Sequence, residues 1–172
     1  MTQIMNLAQM NLGPEEPIVP LAYYEHPDYL SFMRDVENAG RTGRNPNGVW
    51  FPHASFEGGT PTIGYGHKLT NTDDFSRGLS DQEVNALLLS DLRAADGRLR
   101  DNLGNHYNTL DDRRKQMLLD IVYNVGGLGG FPRFRQAVLD NDLPTMAREH
   151  HRFSGGQPLE RRNRLFADYF GF

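Results

Sequence analysis

Two glutamates and a threonine could together supply the groups that acid-catalysed hydrolysis needs. Glu37 falls in the last turn of a predicted helix, where the helix dipole disfavours an ionised carboxylate, and a partly apolar setting would raise its pKa as a general acid requires. Glu57 and Thr62 follow beside a glycine-rich segment. Glycosidases use one carboxyl group to protonate the leaving oxygen and a second group to activate water. These residues therefore suggest glycoside hydrolysis, with Thr62 orienting the water.

Two other kinds of site compete with this interpretation. A metal hydrolase could use four histidines and the neighbouring Glu149, but no His-Glu-x-x-His spacing occurs, and we expect no metal or other cofactor. The histidines are His53, His67, His150 and His151. A non-catalytic module could instead bind glycans through Trp50, Phe56 and Tyr65, although Trp50 fits a core position better.

Helices and a small sheet must position these groups. Pro27 opens a helix with an apolar stripe, which should end at Gly40 in the left-handed conformation. The runs 49–51 and 62–65 predict a two- or three-stranded antiparallel sheet. In the second run, Gly64 and Gly66 would leave one strand face without side chains, open to a ligand.

The rest of the sequence is predominantly helical. Ser80 and Glu83 form a capping box that opens a long helix to about residue 101, and Thr109 with Asp112 repeats the signal before a strongly apolar helix. Further helices are predicted at about 131–140, 143–153 and 158–169. The predicted fold class is α+β, with a small antiparallel sheet lobe (about 40–70) and a larger helical lobe (about 80–172) joined by the long helix. We expect an extended leader over 1–22 and a single domain over 23–172.

Composition places the chain among ordinary globular proteins. Of its 172 residues, 38% are apolar and 23% charged, and the net charge is −4, with no basic run that would suggest nucleic-acid binding. There is no cysteine, so thiol catalysis is excluded. No segment has the roughly 18 apolar residues of a membrane span, and residues 1–12 do not resemble a signal peptide.

The string Thr62-Ile63-Gly64-Tyr65-Gly66-His67 after Glu37 resembles the phage-type lysozymes, the endolysins and related muramidases of glycoside hydrolase family 24. Residues 79–91 are similar to that family's inter-lobe helix, 123–131 to its buried helix and following loop, and 159–166 to its arginine-bearing C-terminal helix. The resemblance covers about residues 27–170. It implies a lysozyme-like fold and cleavage of the β-1,4 bond between N-acetylmuramic acid and N-acetylglucosamine.

The same resemblance assigns roles to individual residues. Glu37 corresponds to the family's acid and Thr62 to the residue that positions water. His67 and Asp91 correspond to a structural pair between the sheet and the long helix. A basic residue beside the acid would be Arg161 or Arg162. We also expect Gly64, Tyr65, His53 and Arg161 to contact substrate.

One departure concerns the second catalytic group. The family usually has an aspartate between the acid and the threonine, whereas here no carboxylate occurs between Glu37 and Glu57, and the spacing to Thr62 is about ten residues longer. Glu57 is the best replacement; otherwise His53 or Ser55 would hold the water. Because this group is misplaced, a lytic transglycosylase is an alternative activity.

The resemblance also sets expectations for biology. We expect a monomeric phage endolysin that acts on peptidoglycan strands, without membrane insertion, and lyses the host cell. It would stay in the host cytoplasm until released to the periplasm and cell wall. A virion-associated wall-degrading enzyme is the alternative.

Overall fold

The computed structural model describes residues 20–55 and 59–172, and shows an α+β fold. Within these residues lie six α-helices, one 3-10 helix and two short antiparallel hairpins. The elements in chain order are α1 (Pro27–Asn38), β1 (Thr62–Ile63), β2 (His67–Lys68), α2 (Asp81–Leu103), the 3-10 helix (Gly104–Thr109), α3 (Asp112–Val125), α4 (Pro132–Asp140), α5 (Leu143–Glu149), β3 (Phe153–Ser154), β4 (Gln157–Pro158) and α6 (Glu160–Phe170).

The first hairpin is shorter than the sequence predicts. Strands β1 and β2 pair Thr62 with Lys68 and Ile63 with His67, whereas the run 49–51 contributes only isolated bridges, through Trp50. Gly64 and Gly66 lie in the connecting turn with φ of 64° and 89°, so the predicted strand with one bare face is wrong. The reason is that this tight turn needs left-handed residues, which glycine adopts without a steric penalty.

Helix α1 ends close to the predicted position but by another route. Gly40 does not have a positive φ; Arg41 does, at 50°, so the predicted glycine cap is wrong. The chain is instead held by Asn38, whose side-chain amide donates to the carbonyl oxygens of Thr42 (3.0 Å) and Gly64 (2.8 Å). Asn38 therefore ties the end of α1 directly to the hairpin turn.

The later helix boundaries follow local capping. The Ser80–Glu83 capping box is present and opens α2 as predicted. Asp111, rather than Thr109, caps α3 by accepting a hydrogen bond from the Arg114 backbone at 2.9 Å. The helix predicted over 143–153 stops at Glu149, because a hairpin turning through Gly155 and Gly156 (φ 56° and 78°) follows it.

Two apolar clusters support the lobes. The larger combines side chains from α1 to α6 around the buried face of α3. The smaller contains Trp50, Ile63, Leu79 and Val84 beneath the first hairpin. Trp50 is 1% exposed and its indole donates to Asp81 at 2.7 Å, which gives it the predicted core role. None of the described helices is long and apolar enough to cross a membrane.

Candidate active site

A cleft of about 710 Å³ opens where the end of α1, the first hairpin, the end of α3 and the start of α6 meet. Its lining includes eight of the residues singled out from the sequence: Glu37, His53, Ser55, Thr62, Gly64, Gly66, Arg161 and Arg162. A volume of this size is typical of a ligand site.

Glu37 occupies a nearly buried position in this cleft. Its side chain is 11% exposed, and its Oε1 accepts a hydrogen bond from Arg162 Nη2 at 2.6 Å. Burial raises the pKa of Glu37, and the charge of Arg162 opposes that rise without cancelling it. A carboxyl group with a raised pKa beside a cleft can act as a general acid near neutral pH.

The two arginines of α6 have different partners. Arg162 contacts Glu37, while Arg161 donates to the backbone carbonyl of Asp35 at 2.8 Å and also lines the cleft. Arg162 is therefore the basic residue beside the acid, which resolves the one-residue ambiguity of the sequence.

The two oxygens of the Glu37 carboxyl group are not equivalent. Oε1 is occupied by Arg162, whereas Oε2 faces the hairpin turn, where a Cβ placed on Gly66 would lie 3.3 Å from it. A protonated carboxyl keeps its hydrogen on the oxygen that is not accepting from a cation. The proton available for transfer therefore belongs on Oε2.

A buried ion-pair network continues behind Arg162. Its Nη2 also donates to Asp120 at 2.9 Å, and Arg152 donates to the other oxygen of Asp120. Asp120 is fully buried on α3 and Arg152 is 1% exposed. Our sequence reasoning missed both residues, although a charged residue inside the apolar run 117–122 is a signal that could have revealed Asp120.

Thr62 lies on β1 at the edge of the cleft. It is 6% exposed, and its backbone exchanges hydrogen bonds of 2.8 and 2.9 Å with His53. His53 and Ser55 both line the cleft, which brings the alternative water-holding residues to the same wall. Glu57, the predicted second catalytic group, belongs to residues 56–58, which lie outside those that the structure describes.

Three further predicted residues stand outside the cleft lining. The Tyr65 ring packs 5.3 Å from the Trp50 ring, and its carbonyl accepts from the Tyr123 hydroxyl at 2.7 Å. His67 Nδ1 lies 2.9 Å from Asp91 Oδ2, which joins the hairpin to α2. The hydrogen bond with Asp91 raises the pKa of His67 despite its partial burial.

The other two histidines considered as metal ligands lie outside the cleft lining. His150 is buried and stacks on Phe166, with ring centroids 5.4 Å apart, and His151 stacks on His150. Among residues 20–55 and 59–172, no group of three or more histidine or carboxylate side chains is arranged to hold a metal ion.

A nearly buried carboxyl group held by an arginine, in a cleft between the first hairpin and the helices, is the arrangement expected of a lysozyme-like glycosidase. The family model for phage lysozyme matches residues 49–164, and the chain belongs to that family, whose substrate is peptidoglycan. The matched region contains Thr62 and Arg162 but begins after Glu37, so the role of Glu37 rests on geometry. No curated protein matches this chain.

Proposed function

We propose that this protein is a family 24 muramidase that hydrolyses the β-1,4 bond between N-acetylmuramic acid and N-acetylglucosamine. The observation that carries the proposal is Glu37: a cleft-lining carboxyl group with a raised pKa, one oxygen held by Arg162 and the other turned toward the hairpin. Acid-catalysed cleavage of a glycosidic bond needs such a group.

The proposed reaction uses both walls of the cleft. Glu37 Oε2 protonates the glycosidic oxygen, while Thr62, with Glu57, His53 or Ser55, places water against the anomeric carbon. A positioned water implies inversion of configuration, since the second carboxyl group of an inverting enzyme stands about 6.5–9.5 Å from the acid. A covalent glycosyl-enzyme trapped on Glu57 would contradict this sequence of events.

We further propose that the protein acts as a monomeric phage endolysin. It would be stored in the host cytoplasm, released to the periplasm and cell wall, and cause host lysis and an antimicrobial, bacteriolytic effect. Family membership supports this role. The net charge of −4 favours a binding mode that does not rely on long-range attraction to an anionic wall.

Clearance of chloroform-permeabilised Gram-negative cells tests the catalytic role. Glu37→Gln should abolish the loss of turbidity, because an amide cannot donate a proton to the leaving oxygen, while binding to insoluble peptidoglycan persists. Glu149→Gln is a matched control, since Glu149 lies outside the cleft lining and pairs with Arg133 at 3.7 Å. Equal clearance by wild type and Glu37→Gln would remove Glu37 as the acid.

The released muropeptides distinguish the two enzymatic candidates. Hydrolysis leaves reducing ends, and a lytic transglycosylase leaves anhydro ends, so mass spectrometry separates them. If wild type binds peptidoglycan without releasing either product, the protein is a glycan-binding module.

A further inference from the structure

Asp120 and Glu37 both accept a hydrogen bond from the same nitrogen atom of Arg162. Arg162 Nη2 lies 2.6 Å from Glu37 Oε1 and 2.9 Å from Asp120 Oδ1. Its two hydrogens therefore serve two different carboxyl groups. Arg162 Nε is buried and has no hydrogen-bond partner among the described residues. Arg162 thus contacts Glu37 end-on, through one nitrogen, instead of through the two-nitrogen fork that arginine offers to a lone carboxylate.

Asp120 is itself held in place from the opposite side. Arg152 donates to its Oδ2, and the Arg152 backbone is fixed by Asn163, which accepts from the Arg152 amide at 2.9 Å and donates to its carbonyl at 3.0 Å. Asn163 directly follows Arg162 on α6. The segment that carries Arg152 and the helix that carries Arg162 are therefore in fixed register around Asp120.

We propose that Asp120 is a positioning residue for acid catalysis: held by Arg152, it keeps Arg162 in a single end-on contact with Glu37 Oε1, so that Oε2 retains the transferable proton. The inference rests on the proposed role of Glu37 as the acid. It assigns a task to two residues, Asp120 and Arg152, that do not line the cleft.

These contacts determine whether each neighbouring charge raises or lowers the pKa of Glu37. Asp120 and Glu37 lie within about 6 Å of each other through their common nitrogen, a range in which one charge shifts the pKa of another group. The charge of Asp120 raises the pKa of Glu37, and the charges of Arg162 and Arg152 lower it. Tyr123 also faces Glu37 but stays neutral, because burial raises its pKa far above the ordinary value.

Asp120 must be ionised for this mechanism. Burial disfavours its charge, but Arg152 and Arg162 outweigh burial and hold the pKa of Asp120 below its usual value. Without Asp120, Arg162 could turn its Nε and Nη2 together onto Glu37. Two charge-assisted hydrogen bonds would then favour the ionised carboxylate over the acid.

Titration of carboxyl carbons by ¹³C NMR tests this directly, because it reads the protonation of Glu37 without requiring activity. Asp120→Asn keeps the side-chain shape and removes the charge, so the Glu37 titration should move down by about one pH unit. Arg152→Gln removes a positive charge that lowers the pKa of Glu37 and leaves Asp120 paired with Arg162 alone, so the Glu37 titration should move up. The alkaline limb of the pH–activity profile should move in the same direction as the Glu37 titration in each variant. At a pH above the limb, Asp120→Asn should therefore be about ten-fold less active than the wild type.

Asp96→Asn is the matched control for loss of a buried carboxylate. Asp96 is 4% exposed on α2 and accepts hydrogen bonds from Tyr23 and Tyr107, so its substitution should cost stability and leave the Glu37 titration unchanged. Opposite shifts in the Asp120 and Arg152 variants support the inference, since general structural damage would move both in one direction. No shift, or shifts of the same sign, overturns it.

Two readouts keep the test decisive. If Asp120→Asn does not fold, the direction in which Arg152→Gln shifts the Glu37 titration decides. In the wild type, the Asp120 carboxyl group must titrate at a lower pH than that of Glu37, and the reverse order of the two titrations overturns the inference. If Glu37→Gln clears cells normally, the proposed function fails, whereas the titration shifts of Glu37 still stand or fall independently.

Discussion

Gly66 provides the sharpest test of how closely the hairpin approaches the acid. Its φ is 89°, and a Cβ there would lie 3.3 Å from Glu37 Oε2 and 3.9 Å from the Tyr123 ring. Gly66→Ala therefore adds two separable effects: backbone strain, and a methyl group against the oxygen that must reach the glycosidic bond. Gly126 has a nearly identical φ of 86°, but a Cβ there would meet nothing within 4 Å. Gly126→Ala thus reproduces the strain alone.

The expected magnitudes differ between stability and catalysis. Each alanine should lower the free energy of unfolding by about 1–2 kcal/mol, the cost of a left-handed non-glycine residue. Only Gly66→Ala should also lower kcat, by about ten-fold or more, because the carboxyl group must move by a few tenths of an ångström from its productive position. The added methyl group would also crowd the approach of the substrate oxygen to Oε2.

Urea unfolding and the rate of reducing-end release from purified peptidoglycan measure the two effects. Gly126→Ala should be destabilised with wild-type kcat at a temperature where it remains folded. The reasoning is refuted if both variants lose the same share of activity, or if Gly66→Ala retains full kcat.

Two further predictions concern the small lobe. The pKa of His67 is raised chiefly by Asp91, so their contact stabilises the fold below about pH 6.5, and this contribution is lost as the pH rises through the folded-state pKa. In thermal unfolding, His67→Gln should therefore lower the free energy of unfolding by about 1–2 kcal/mol at pH 5.5 and by less at pH 9. A loss that does not depend on pH would contradict this. Trp50, the single tryptophan and 1% exposed, should emit at short wavelength and stay unquenched when glycan fragments bind, whereas quenching on saturation would show direct contact with sugar.

Local sequence signals predicted the elements whose boundaries depend on neighbouring residues. The Ser80–Glu83 capping box opens α2 because both partners lie within one turn. The same logic was less reliable before α3, where Asp111 caps the helix although Thr109 and Asp112 also fit the signal. Neighbouring residues of similar type compete for a cap, and the sequence alone does not rank them.

Glycine patterns were interpreted less well. Gly64 and Gly66 alternate like residues of a strand, yet both adopt positive φ in a turn, since glycine spacing is compatible with either structure. Gly64 illustrates the constraint: a Cβ there would lie 2.6 Å from Val84 on α2. This close approach is a long-range contact that no local pattern contains.

The choice between Arg161 and Arg162 was likewise not predictable. It depends on the rotation of α6, which follows from its packing, and one residue changes the direction of a helical side chain by about 100°. Asp120 could have been predicted as a special residue, since an unpaired aspartate would not be tolerated in the apolar run 117–122. Its partners, Arg152 and Arg162, could not, because they come from segments 32 and 42 residues away.

The hydrogen bonds of Asn38 mean that chain length between the acid and the hairpin does not set their distance. Asn38 follows Glu37 and binds the Gly64 carbonyl at 2.8 Å, while the intervening chain leaves and returns through the bonds between His53 and Thr62. Loops closed at their base tolerate insertions at small entropic cost. The turn 45–48, which lies outside the contacts of the buried Trp50, is therefore a place where insertions and deletions can occur while the acid keeps its position.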